Sequence, residues 1–168
     1  MKILVTGSSG TIGTRLCEKL LEQGHDVVGA DWEPCKWIQA IEDLRIDVDL
    51  RDEDAFDRLP TDVDMIVHLA ANARVYELVE NPDRARDNML TVFNVLEFAR
   101  QNNIGKFIFA SSREAYGNIK VAGYTEDMVR VENCESPYTA SKVAGEAMVH
   151  AYQLSLIHIS EPTRRIEI

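Results

Sequence analysis

The stretch that decides the fold is K-I-L-V-T-G-S-S-G-T-I-G, residues 2–13 of a 168-residue chain. A short apolar run rich in β-branched residues ends at Gly7, and apolar residues recur at helical spacing from Ile12 onward. A strand that turns sharply into a helix through glycines leaves free backbone N–H groups at the helix N-terminus, where phosphate groups bind. The stretch therefore predicts a β-α unit that holds the pyrophosphate of a dinucleotide.

Each glycine of this turn has an expected task. Gly7 supplies the turn, Gly10 removes a side chain that would collide with the ligand, and Gly13 lets helix and strand approach closely. Asp31 follows 18 positions after Gly13, where a carboxylate accepts hydrogen bonds from a ribose 2′-hydroxyl and repels a 2′-phosphate. The pattern favours NAD over NADP, and a plain tight turn explains it less well. The remaining turn residues expected to contact NAD are Ser9, Thr11 and Ile12.

Strand-like and helix-like segments alternate along the chain, which predicts a doubly wound parallel sheet of the Rossmann type with strand order 3-2-1-4-5. The predicted strands are residues 2–6, 26–30, 46–48, 65–70 and 107–110. The predicted helices are residues 12–24, 52–59, 82–101 and 137–153.

Composition narrows the possible functions. The formal charge of −10 disfavours nucleic acid and anionic membranes as partners. Three cysteines without a C-x-x-C pair predict free thiols in a reducing compartment, and the four scattered histidines suggest no metal site. The chain shows no apolar run long enough to span a bilayer and no signal-peptide pattern at its N-terminus, so we expect a cytoplasmic protein.

Four motifs occur in order: T-G-S-S-G-T-I-G (6–13), H-L-A-A (68–71), A-S-S-R-E-A-Y-G (110–117) and S-P-Y-T-A-S-K-V-A-G-E (136–146). Together they resemble the extended short-chain dehydrogenase/reductases, and more narrowly the NAD-dependent nucleotide-sugar epimerase/dehydratase family. The resemblance covers roughly residues 1–153 and implies a nucleotide-sugar substrate that is transiently oxidised by bound NAD.

The resemblance also implies a role for individual residues. Contacts to the adenine end fall on Asp49 and Leu50. The strand end along the cofactor corresponds to Leu69, Ala70 and Ala71, and Asn88 matches an asparagine that supports the site. The catalytic residues correspond to Ser112, Tyr138 and Lys142, of which Lys142 also holds the nicotinamide ribose.

Tyr138 and Lys142 also suggest chemistry by their spacing. Residues four apart on a helix share one face. A free phenol ionises only near pH 10, but a neighbouring ammonium favours the phenolate, which can accept a proton from a sugar hydroxyl. Ser112 would hydrogen-bond the same oxygen. His68, in contrast, is expected to be a core histidine at a strand end.

Arg113 and Glu114 bear on the type of reaction. Sugar dehydratases of the family carry an Asp-Glu pair at this point, whereas this chain has Arg-Glu. Glu114 would act as a base or form an ion pair with Arg113. We therefore prefer a UDP-hexose 4-epimerase-like reaction over a dehydratase, decarboxylase or reductase. A catalytically silent NAD-binding regulator and an interaction module remain the alternatives from other classes.

The last predictions from the sequence concern the assembly of the protein and the end of the chain. The long helix is apolar on two faces, so we expect a homodimer through the helices at residues 89–100 and 138–152. The ending L-S-L-I-H-I-S-E-P-T-R-R-I-E-I (154–168) resembles translated sequencing-adapter DNA more than the family. We expect residues 154–168 not to be native, the C-terminal substrate domain to be absent, and turnover to be low; a makeshift strand at residues 156–159 is the alternative.

Overall fold

The computed structural model describes residues 1–155. The five strands are β1 (Lys2–Thr6), β2 (Asp26–Asp31), β3 (Arg45–Asp47), β4 (Met65–His68) and β5 (Phe107–Phe109). The α-helices are α1 (Thr11–Glu22), α2 (Gln39–Glu42), α3 (Val75–Glu80), α4 (Asp83–Gln101) and α5 (Pro137–Ser155). Short 3₁₀ helices cover Glu53–Arg58, Arg113–Tyr116, Glu126–Met128 and Val131–Asn133.

The strands form one parallel sheet in the order β3-β2-β1-β4-β5, which confirms the predicted Rossmann-type topology. The order reverses at β1, since β2 pairs with one of its edges and β4 with the other. The crevice outside the carboxyl ends of the strands at such a reversal is the usual ligand site of this fold. The turn of residues 7–10 lies directly at this point.

Helices cover both faces of the sheet, which explains the continuous apolar strands. Leu4 and Ile66 belong to the core on the side of α4, and Val5 and Val67 belong to the core on the side of α1. The side chain of Cys17 on α1 completes the second core. Both cores are therefore built by the alternation of side chains along the same strands.

His68 is a core residue, as predicted. Its ring is 1% exposed, its Nδ1 lies 2.8 Å from Thr6 Oγ1, and it stacks on Phe109. Burial, aided by the nearby charge of Lys142, lowers the pKa of His68 to about 3. The imidazole is therefore neutral at physiological pH.

Several boundaries differ from prediction. The strand predicted for residues 65–70 ends at His68, because its partner β1 ends at Thr6. The segment predicted as a helix at residues 52–59 is a 3₁₀ helix, begun by Asp52, whose side chain accepts a hydrogen bond from Asp54 N. The short helices α2 and α3 have no counterpart among the predicted elements. The alternative strand at residues 156–159 lies outside the described residues.

The long helix α4 is only partly covered. Val92, Val95 and Leu96 are buried, whereas Met89 and Phe93 are exposed. Each of the two apolar faces predicted for this helix therefore contains both buried and exposed side chains: Met89 and Phe93 are exposed on the face that includes Val92, and Leu90 is exposed on the face that includes Val95. Within residues 1–155, no helix is long and apolar enough to cross a bilayer.

Candidate functional site

A cleft of about 390 Å³ opens at the carboxyl ends of the strands, where the order of the sheet reverses. Almost all of the residues predicted to contact NAD line it. They are Gly7, Gly10, Thr11, Ile12, Gly13, Asp31, Asp49, Leu50, Leu69, Ala70, Ala71 and Asn88. Ser9, Tyr138 and Lys142 do not line the cleft, but the backbone N–H of Ser9 donates to Asp31 Oδ2 at 2.9 Å.

The glycine turn is shaped by close backbone contacts. Gly7 has φ +71°, and a Cβ there would lie 2.7 Å from the backbone nitrogen of Ala70. A Cβ on Gly13 would lie 2.1 Å from the carbonyl oxygen of Gly7. The turn can therefore form only with glycine at both positions, which agrees with the roles predicted for them. Gly10 caps the start of α1 and lines the cleft, so no side chain stands between the helix N-terminus and a ligand.

The carboxylate at the end of β2 is hydrogen-bonded directly to the turn. Asp31 ends β2, and its two carboxylate oxygens accept from the backbone N–H groups of Ser9 and Glu33, each at 2.9 Å. Ser9 Oγ is buried and has no hydrogen-bond partner within the described part of the chain. A glycine turn, an orphaned hydroxyl and a carboxylate at the strand end fit a dinucleotide with its pyrophosphate at the turn and a ribose at Asp31.

Asn88 links the cleft to helix α5. Its Oδ1 accepts from the backbone N–H of Asn72 at 2.7 Å, and its Nδ2 donates to Asn72 O at 3.1 Å and to Ser141 Oγ at 3.3 Å. Ser141 Oγ in turn donates to Tyr138 O at 2.7 Å. Asn88 thus fixes the loop after β4 and the first turn of α5 to each other.

Tyr138 and Lys142 lie on one face of α5, as their spacing predicts. Lys142 Nζ lies 5.9 Å from the centroid of the Tyr138 ring and 5.0 Å from that of Phe109. It donates a hydrogen bond of 2.8 Å to the carbonyl oxygen of Ala110, which itself lines the cleft. Lys142 is 5% exposed, and this burial lowers its pKa to about 8. A cation is thus held out of water over the ring of Tyr138 and is bonded to a carbonyl that lines the cleft.

Ser112 and Glu114 stand in the 3₁₀ turn that follows β5. Ser112 Oγ accepts from the backbone N–H of Glu114 at 3.1 Å, and the Glu114 carboxylate pairs with Arg113 at 2.9 Å. Neither residue lines the cleft. No hydrogen bond joins the hydroxyls of Ser112 and Tyr138 among residues 1–155, so a joint action of these two groups stays a prediction.

The cleft also contains residues that sequence reasoning missed. Trp32 directly follows Asp31, and Arg51 directly follows Leu50, so both could have been found as neighbours of predicted contacts. Asp87 precedes Asn88, and Thr91 lies one helical turn after it. Helical periodicity around Asn88 was the available signal for Thr91, and adjacency in the sequence was the signal for Asp87.

Comparison with known proteins supports the geometry. A profile of the NAD-dependent epimerase/dehydratase family matches residues 3–158. The chain belongs to this family. Among curated relatives, a putative UDP-glucose 4-epimerase of Methanocaldococcus jannaschii is 36% identical over 155 residues, with 89% of this chain and 50% of that protein covered. A dTDP-glucose 4,6-dehydratase of Streptomyces antibioticus is 28% identical, with 90% of this chain and 49% of that protein covered.

Solved structures of epimerases have the same fold. The UDP-glucose 4-epimerase of Thermus thermophilus, crystallised as a complex with NAD, superimposes with a TM-score of 0.82 at 33% identity. That comparison covers 92% of this chain and 51% of the epimerase. This family member therefore spans about half the length of the relatives it matches.

Proposed function

We propose that this chain binds NAD in the cleft and carries the catalytic residues of a nucleotide-sugar 4-epimerase. The proposal is supported most by one observation: Lys142 Nζ, buried next to Tyr138, is bonded to a backbone carbonyl that lines the cleft. The glycine turn would hold the pyrophosphate and Asp31 would bind a ribose. Residues 69–71 would lie along the cofactor. NAD bound there supplies the reversible oxidation of a sugar carbinol.

The chain's own contribution is the movement of one proton. Lys142 carries its positive charge at neutral pH, since its lowered pKa of about 8 still lies above 7. A buried ammonium stabilises a nearby anion more than a solvated one does, because water no longer screens it. Tyr138 Oη would then accept the proton of the sugar hydroxyl as the phenolate and return it as the phenol. Ser112 Oγ would orient that hydroxyl.

The pair Arg113–Glu114 favours an epimerase over a dehydratase. Loss of water from a sugar needs an acid that protonates the departing hydroxyl and a base that removes a carbon-bound proton. This chain has Arg113 at the position where dehydratases carry an aspartate, and the Glu114 carboxylate is paired with that arginine at 2.9 Å. Epimerisation at a carbinol needs neither group. A nucleotide-sugar, with UDP-glucose as the first to be tried, is the proposed substrate.

Calorimetry with NAD tests the binding part of the proposal. The 168-residue chain should bind one NAD, and Lys142→Met should weaken binding by about tenfold or more because an ammonium-to-ribose contact is lost. Lys120→Met, which removes a lysine outside the cleft, should leave the affinity unchanged. Absence of NAD binding by the wild-type chain would refute the proposal.

Turnover tests the catalytic part. Because the chain spans about half of its relatives, we propose that it holds the cofactor but converts UDP-glucose to UDP-galactose slowly or not at all. Restoring the length of a relative should restore turnover, and Tyr138→Phe should then abolish it while NAD still binds. Conversion by the 168-residue chain at the rate of a full-length relative would contradict this part alone.

A homodimer through α4 and α5 completes the proposal. The exposed side chains of Met89, Leu90 and Phe93 form an apolar stripe on α4. The neighbouring helix α5 exposes the small side chains of Ala140 and Ala147, which stand two helical turns apart. Small residues on one helix and large apolar ones on the next allow close helix packing across a two-fold axis.

A further inference from the structure

Trp32 and Arg51 form a stacked pair on one side of the cleft, hereafter the Trp32–Arg51 wall. The guanidinium carbon of Arg51 lies 4.5 Å from the centroid of the Trp32 ring. Both residues line the cleft, Trp32 next to the proposed ribose contact Asp31 and Arg51 next to Leu50, a predicted adenine contact. The wall therefore stands at the end of the cleft where the adenosine of a dinucleotide would lie.

Arg51 forms ion pairs with two protein carboxylates. Asp49 accepts from Arg51 Nε at 2.9 Å and from Nη2 at 2.7 Å, and Asp87 on α4 accepts from Nη1 at 3.0 Å. The pKa of Asp49 is lowered mainly by its hydrogen bonds to Arg51. Asp87 also lies 3.8 Å from Arg86 Nη2, so a second guanidinium shares the negative charge at this wall.

An arginine near the acidic residue at the end of the second strand is the feature that accommodates the 2′-phosphate of NADP in other dinucleotide sites. Here the same residue type would have the opposite consequence. Three of its five N–H donors are used by Asp49 and Asp87, so a phosphate that approached the remaining donors would lie beside two carboxylates. Arg51 also presents the flat face of its guanidinium plane, together with the indole on which it stacks.

We propose that the Trp32–Arg51 wall recognises the adenine ring by stacking, and that its ion pairs to Asp49 and Asp87 make the site select NAD against NADP. This inference rests on the proposed binding of NAD and adds to it the residues that read the adenosine end. Every base presents a π-face, so stacking on an aromatic ring and a guanidinium gives affinity without any hydrogen bond to the base edge.

The chain offers a matched control for the tryptophan. Trp32 is 48% exposed and lines the cleft, whereas Trp37, a few residues later in the same loop, is 69% exposed and does not line it. Calorimetry with NAD and with ADP-ribose, which retains the adenosine diphosphate but lacks nicotinamide, locates the contact. Trp32→Ala should weaken both ligands equally, by about tenfold, while Trp37→Ala leaves both unchanged.

Trp32→Phe should restore most of the affinity because it restores an aromatic face. A Trp32→Ala variant that binds NAD as the wild type does would overturn the inference but not the proposed function. A loss seen with NAD but not with ADP-ribose would also overturn it, since the contact would then lie at the other end of the cofactor. A wild-type chain that binds neither ligand would refute both.

The ion pairs are tested separately by Asp87→Asn, with Asp83→Asn as its control. Both changes remove one negative charge that pairs with Arg86 in the first turns of α4, at 3.4 Å for Asp83 and 3.8 Å for Asp87, but Asp83 lies outside the cleft. Asp87→Asn should reduce the preference for NAD over NADP by about fivefold, because the ion pair between Arg51 and Asp87 is lost and the wall loses one negative charge. An unchanged ratio of the two dissociation constants, or an equal change in Asp83→Asn, would overturn the selectivity part.

Discussion

Replacing Lys142 by methionine should make the protein more stable at neutral pH while it removes the proposed function. Burial lowers the pKa of Lys142 from 10.5 to about 8, so the folded state holds the charged side chain at a cost. Each pKa unit corresponds to about 1.4 kcal/mol, which puts the cost at roughly 3 kcal/mol. Loss of the hydrogen bond to Ala110 O, worth about 1 kcal/mol, offsets part of the gain. We expect Lys142→Met to raise the free energy of unfolding by about 2 kcal/mol at pH 7.

The pH dependence of the stability difference between the wild type and Lys142→Met gives a sharper test. Between pH 8 and 10.5 the unfolded chain keeps the Lys142 proton while the folded chain loses it, so the stability of the wild type rises with pH in this window. The advantage of Lys142→Met should therefore shrink by roughly 3 kcal/mol from pH 7 to above pH 10.5, with most of the change complete by about pH 10. Other groups also titrate in this range, because burial raises the pKa of Cys17 to about 11. The two proteins must for this reason be compared at each pH.

Urea denaturation followed by circular dichroism measures the difference, and Lys120→Met serves as the control lysine outside the cleft. A difference between wild type and Lys142→Met that stays constant from about pH 7 to about pH 10 would refute the reasoning, because it would mean that the ammonium is not held against a desolvation cost. If the stabilised variant still binds NAD as the wild type does, Lys142 does not contribute to NAD binding.

Packing and charge give three further expectations. Gly13→Ala should cost several kcal/mol of stability, since a Cβ there would lie 2.1 Å from a backbone carbonyl oxygen, whereas Gly123→Ala, with open space around it, should be neutral in the same thermal melt. Phe93→Glu should shift the chain toward the monomer in sedimentation equilibrium, and Val131→Glu, also on an exposed apolar side chain, should not. His68, with its pKa lowered to about 3, should keep a neutral ring down to about pH 4 in NMR titration, and stability should fall as pH drops from 6.5 toward 3; a ring that charges near pH 6 contradicts this.

The topology of the sheet could be predicted because its signals are local. The apolar run before Gly7 and the continuous segment at residues 65–70 each mark a strand buried on both faces, and alternation with helices leaves a parallel sheet. Strand ends were less predictable, because they depend on the partner. Leu69 N still donates to Thr6 O at 3.1 Å, but the pairing of β4 stops with the end of β1.

The short helices could not be predicted for a related reason. Helix α3 has six residues and helix α2 has four, which is too short for a hydrophobic period to show. Leu78 on α3 is fully buried against Tyr138 on α5, so α3 is held by a segment far along the chain. A contact between residues so far apart in the sequence cannot be predicted from a short sequence window.

The candidate site likewise contains residues that local sequence patterns predict and residues that only tertiary contacts bring together. The glycine turn, Asp31, and the pair on α5 are each set by short spacings, and the structure brings the turn and Asp31 to one cleft. The two residues of the Trp32–Arg51 wall lie in different loops, and Asp87 links Arg51 to helix α4. The distances between these residues along the sequence follow no helical or strand period. Its members adjoin predicted residues, but their pairing appears only once the strand order is fixed.

The two cations of the site are held in opposite ways, and the difference agrees with their proposed tasks. Within the described residues, Lys142 forms no ion pair, and its ammonium is held by a carbonyl and by aromatic faces. Arg51 forms ion pairs with two carboxylates. A cation that acts on a developing anion must keep its charge uncompensated, even though burial makes this costly. A cation that offers only a flat surface to a base loses nothing by neutralisation, and by donating to two carboxylates it ceases to attract a phosphate.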